Sequence, residues 1–129
     1  MILFLDIATP SARVAVVSST TVRWSVGGNA YALVERARGA KLDAVIIARP
    51  SAEAIKKPTW SGIRSAVAIA NALAFATGAK VGEIEISGQE KKSVLEAAVR
   101  AAAKKSKKGA WIEPRYSGEP NITTPKPRQ

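Results

Sequence analysis

The sequence predicts an α/β domain on one mixed five-stranded sheet, with elements in the order βββαβαβα. Three observations carry that expectation. Short β-branched runs separated by tight turns fill the first part of the chain. An unbroken apolar run follows Asp43. Pro58 to Val81 then reads as a turn, a long helix of small and apolar residues, and the start of another strand.

Ile2 to Ala8 is nearly continuous in apolar residues, with Asp6 its one acid. Thr9-Pro10-Ser11 forms a turn, and Arg13 to Val17 is rich in β-branched residues, which favour a pleated strand. Ser18 to Thr21 is a second turn, and Val22 to Val26 alternates around Trp24. Connections this tight imply an antiparallel meander. Gly27-Gly28-Asn29 breaks the pattern, and Asn29 can cap a helix through Arg38 that Gly39 stops. Tyr31, Leu33 and Val34 are its larger apolar groups. Asp43 to Ala48 reads as a central strand covered on both faces, and a polar loop from Arg49 to Thr59 leads to the next helix.

That helix organises the rest. Gly78 suits the left-handed residue that closes a helix. At about 100° per residue, Ala66, Ile69 and Leu73 share one side, expected to cover the sheet. Val67, Ala68, Asn71 and Phe75 share the other, with Arg64 near Asn71. This second side needs another helix or a partner protein. Replacing Val67 by Glu is therefore expected to break pairing, and replacing Leu73 by Glu to unfold the chain.

Gly82 to Ile86 alternates strictly, as an edge strand with one wetter face would. Ser87 and Glu90 stand at capping-box spacing, followed by Val94, Leu95, Ala98, Val99 and Ala102 at helical intervals. The helix is expected to run through its lysines to Gly109. Beyond it Pro114, Pro120, Pro125 and Pro127 exclude regular structure. The chain divides into a domain over residues 1–109 and an extended Pro-rich tail over 110–129.

With 129 residues, 47% hydrophobic, the chain holds enough apolar material for one core and too little for two. Zero cysteines exclude a disulfide framework and thiolate zinc sites; zero histidines remove the usual general base. The opening MILFLDIA is too short for a secretory segment, and the long helix falls below the ~18 apolar residues of a membrane span. A cytoplasmic location without membrane contact is expected. The formal charge of +10 suits a nucleic acid, an acidic protein surface, or plain solvation.

Asp6 ends the first strand beside Thr9 and Ser11, where active members of such folds hold a metal or phosphate. Two-metal chemistry needs several convergent carboxylates, so Asp6 reads as a structural turn or cap residue. A small nuclease or phosphotransferase using Asp6 is the enzymatic alternative, and a stand-alone RNA-binding module is a third. Pro58-Thr59-Trp60-Ser61-Gly62, at a helix N-terminus, suits an anion or simply caps the helix. Lys104, Lys105, Lys107 and Lys108 form the densest basic patch, followed by Trp111, Arg115 and Tyr116. RNA contact and a solvated helix end that complements the macrodipole both fit it.

The predicted element order is the ribonuclease H-like plan, also used by each half of actin-like ATPases. Within it, Leu5-Asp6-Ile7-Ala8-Thr9-Pro10-Ser11, Ser61-Gly62-Ile63-Arg64 and Ala70 to Ala76 resemble the TsaB (YeaZ) family, whose opening reads LxIDTAT and whose loop GPGSFTGLR enters a helix like IGLATAKGLAFALG. Pro114-Arg115-Tyr116 to Pro125-Lys126 resembles the tail of short members. Lys56, Lys57 and Pro58 replace the family's Gly-Pro-Gly, and the family's second lobe is expected to be mostly lacking. The resemblance implies a non-catalytic subunit, without cofactor or metal, in tRNA threonylcarbamoyladenosine formation. Its implied partners are the catalytic TsaD protein, a TsaE-like ATPase, and tRNA through the complex. Tyr31, Val34, Arg64, Val67, Ala68, Asn71 and Phe75 would hold the partner, and the isolated chain can self-pair through the same helices.

Overall fold

β1 (Ile2–Asp6), β2 (Arg13–Val17) and β3 (Val22–Val26) form the expected antiparallel meander in the computed structural model, which describes residues 1–7, 12–26, 35, 41–51, 60–109 and 111–113. β4 (Ala44–Pro50) then pairs parallel to β1, and β5 (Lys80–Ile86) parallel to β4, giving the sheet order β3-β2-β1-β4-β5. The helix α1 (Trp60–Thr77) lies between β4 and β5 in sequence, and α2 (Lys92–Lys105) follows β5. This is the ribonuclease H-like arrangement. The helix expected from Asn29 to Arg38 lies outside the described residues except for Glu35, which is helical and exposed.

Strand alternation sorts the core into two layers. Leu3, Leu5, Val14, Val45, Ile47 and Val81 face α1. Phe4, Ala15, Val17, Ile46 and Ile86 face α2, whose Leu95 and Val99 are buried against them. β4 lies inside the sheet and is buried on both faces, whereas β5 is an edge strand with a more exposed pattern than β4. Both match the expectation from their sequences. Val94, one of the helically spaced apolar residues of α2, stays exposed.

Helix ends hold the clearest local departures. Gly78 closes α1 with φ of 72°, as its position demanded. α2 starts later than the Ser87–Glu90 spacing implied, at Lys91 as N-cap, with no side-chain cap. Glu90 instead closes the preceding turn: its carboxylate accepts from the N–H groups of Ser87 and Gly88 and from the Ser87 hydroxyl. Burial opposes ionisation of Glu90, but these donors together hold its carboxyl below the ordinary range. α2 also ends before Gly109. The N–H and Oγ of Ser106 both donate to the carbonyl of Ala102, at 3.0 and 2.7 Å, and stop the helix there.

Ser106 crosses β5 at Gly82, the position where the sheet admits no side chain. A Cβ on Gly82 would stand 2.3 Å from Ser106 Oγ and 3.1 Å from Ile46 Cδ1. Gly82→Ala is therefore expected to cost about 1–2 kcal/mol, since Ser106 must give up its bond to Ala102 or α2 must shift. Urea denaturation would show the loss, and a Gly82→Ala/Ser106→Ala double variant should recover part of it. An unchanged midpoint for Gly82→Ala would contradict this packing.

Candidate functional site

The composition of α1 lets it approach closely on two sides. Ile63, Ala66, Val67, Ala70 and Ala74 recur at three- and four-residue spacing and are buried in the core layer with Leu3, Leu5, Val45 and Ile47. Alanines on this contact line bring the helix axis near the sheet, so the larger Ile69 and Leu73 flank the line and are only partly buried. The opposite side presents Ser61, Arg64, Ser65, Ala68, Ala72, Phe75 and Ala76 to solvent. Phe75 is 82% exposed.

The expected division of the helix is thus rotated. Arg64, Ala68 and Phe75 do face outward together, joined by Ala72, which the wheel reading had left out. Val67 does not: at 6% exposure it belongs to the core beside Ala66 and Ala70. Ala66 does face the sheet as expected, but the contact line centres on Ile63, Ala66, Val67, Ala70 and Ala74 rather than on Ile69 and Leu73, because a helix apolar all round can turn either way against a sheet. Tyr31 and Val34, assigned to the same surface, lie outside the described residues, as does the loop from Lys56 to Thr59.

Asn71 has a different task from partner contact. Its Nδ2 donates to the carbonyl of Ile112 at 3.0 Å, and the N–H of Ile112 donates to Asn71 Oδ1 at 3.1 Å. The pair imitates a strand ladder and ties the end of the described chain to α1. Ile112 is buried in the α1 core layer, and the guanidinium of Arg49, which also pairs with Glu83, donates to the carbonyl of Glu113. Trp111, 70% exposed, and Phe75 line the same shallow recess. Asn71→Ala removes both bonds and leaves a buried N–H, with an expected cost of about 2–3 kcal/mol. Urea denaturation should register it as a lowered midpoint. A variant of wild-type stability would contradict the clamp.

Asp6 is the last residue of β1, and the turn expected to follow it lies outside the described residues. Asp6 is 5% exposed and sits opposite Arg13 in the β1–β2 register, accepting from Arg13 Nε at 2.7 Å. The Arg13 guanidinium in turn lies 5.1 Å from the Trp24 ring centroid, and Trp24 Nε1 donates to Glu96 of α2 at 3.2 Å. This chain of contacts links three strands to a helix. The other oxygen of Asp6 has no hydrogen-bond partner among the described residues. Among the described residues, no group of three acidic side chains converges as a metal centre would require.

Lys104 and Lys105 lie in the last turn of α2, and Lys107 and Lys108 follow beyond its end; all four are exposed. None is ion-paired among the described residues. No helix among the described residues is long and apolar enough to cross a membrane.

Sheet order, strand directions and helix placement define the fold as ribonuclease H-like, with one face of α1 exposed. Solved structures bear the same arrangement. YeaZ from Pseudomonas aeruginosa is similar with a TM-score of 0.50 and 21% identity, over 65% of this chain and 43% of that one. A protein described as similar to peptidase YeaZ, from the same organism, gives a TM-score of 0.51 and 20% identity over 65% of this chain and 42% of its own. The matched part of the chain thus spans less than half the length of either structure, and at this identity the likeness establishes the fold. No family model and no curated protein matches the sequence.

Proposed function

We propose that the chain is a TsaB-like, non-catalytic partner subunit that holds a TsaD-type protein in its productive arrangement for tRNA threonylcarbamoyladenosine formation. The observation that carries this reading is the outward face of α1, where Ala68, Ala72 and Ala76 surround an exposed Phe75 with Arg64 at one end. Small residues let a partner helix approach closely, and an aromatic ring left in water gains about 1.5–3 kcal/mol when covered. Arg64 can fix register at the rim. The shared YeaZ fold and the resemblance of Leu5–Ser11 and Ala70–Ala76 to the TsaB family support the same assignment. The enzymatic alternative loses ground because the carboxylate of Asp6 is engaged by Arg13. Association is the direct test: mixed with a TsaD-type subunit from the same cell, the chain should elute as a one-to-one complex by light scattering. Separate elution at micromolar concentration would overturn the proposal.

A further inference from the structure

The starts of β1, β4 and β5 and the ends of α1 and α2 meet at the end of the domain opposite Asp6, and two adjoining clefts open there. One, of about 420 Å³, is lined by Lys80, Arg100 and Lys104; the other, of about 490 Å³, by Lys41, Lys80 and Lys108. Lys80 and Asp43 belong to both. Five side-chain cations, from the segment before β4, the start of β5, and the second half of α2 and just beyond it, therefore surround these clefts, and the one carboxylate lining them, Asp43, is paired with the Met1 ammonium at 2.6 Å. The frame beneath them is fixed by backbone bonds: Asp43 N–H donates to the Met1 carbonyl at 2.8 Å, and Lys80 N–H to the Asp43 carbonyl at 2.9 Å. Arg100 is held by its bond to the Ser18 carbonyl at 2.6 Å.

Compensation of the α2 macrodipole accounts for Lys104 and Lys105 in its last turn. It does not account for Lys41, which precedes β4, or Lys80, which begins β5. Like charges gathered around a concavity repel one another unless a polyanion joins them, and low-dielectric walls focus their field outward. No large exposed apolar side chain other than Met1 lines either cleft. A protein partner would want an apolar centre there, and a membrane surface would want apolar groups to insert. We propose that this basic end binds the phosphate backbone of a nucleic acid, through Lys41, Lys80, Arg100, Lys104 and Lys108. Backbone contacts of this kind give affinity and orientation without reading bases. The proposal is independent of pairing through α1, which uses another surface.

Fluorescence anisotropy of a labelled RNA stem-loop, titrated with the chain alone between 50 and 200 mM salt, tests it. Five phosphate contacts predict a slope of log K against log salt of about −3.5 to −4.5. Lys41→Gln/Lys80→Gln should weaken binding about tenfold and flatten that slope by about 1.4–1.8. Lys91→Gln/Lys92→Gln, of equal net charge and at the opposite end of α2, should bind as the wild type does. Circular dichroism would establish that both variants are folded. The proposal fails if the stem-loop does not bind at 50 mM salt, if both double variants lose affinity equally, or if polyglutamate competes as well as unlabelled RNA.

Discussion

Val67→Glu is expected to unfold the domain. Val67 sits between Ala66 and Ala70 on the contact line of α1, in an apolar layer built from Leu3, Leu5, Val45 and Ile47. Leaving a charge unpaired there costs about 3–5 kcal/mol or more, a large share of the 5–15 kcal/mol that holds a domain of this size together. Val67→Ala, which removes two methyl groups and leaves a small cavity, should cost only about 2 kcal/mol and remain folded. Circular dichroism with urea denaturation on both variants separates the two outcomes. A Val67→Glu protein with the wild-type midpoint would put the residue on the surface and undo the assignment of the helix faces.

Much of the architecture was legible because it rests on short-range signals. Arg13–Val17 and Val22–Val26 declare themselves by β-branched content between turns, β4 by its uninterrupted apolar run, and the end of α1 by Gly78. The rotation of α1 was not legible. Apolar residues lie all round that helix, so periodicity alone cannot say which side meets the sheet; only the folded contacts place Ile63, Ala66, Val67, Ala70 and Ala74 against it, with Ile69 and Leu73 beside them. Long-range pairings were equally hidden. Asn71 and Ile112 stand 41 residues apart, and nothing local marks their double hydrogen bond. Asp6 and Arg13 could be matched only once the strand register was known. The basic end shows the same limit: the sequence displays Lys104 to Lys108 as a cluster, whereas Lys41, Lys80 and Arg100 join it only in the folded sheet.

Ala72→Glu should have the opposite profile from Val67→Glu. Ala72 is exposed, so a carboxylate there meets water in the free chain and should change stability by less than about 0.5 kcal/mol. In a helix-to-helix contact the same carboxylate would be buried without a partner at the centre of the patch between Ala68 and Phe75. A cost of about 3 kcal/mol at that point weakens association by more than about a hundredfold. Phe75→Ala, which truncates the anchor, should cost about 2 kcal/mol of binding and likewise leave the fold intact.

Calorimetric titration of a TsaD-type subunit with the wild-type chain and with Ala72→Glu tests the central claim most directly. The wild type is predicted to bind one to one, and Ala72→Glu to give no measurable heat at the same concentrations while its circular dichroism spectrum matches the wild type. Equal affinity for the two chains would show that the partner does not dock on the outward face of α1.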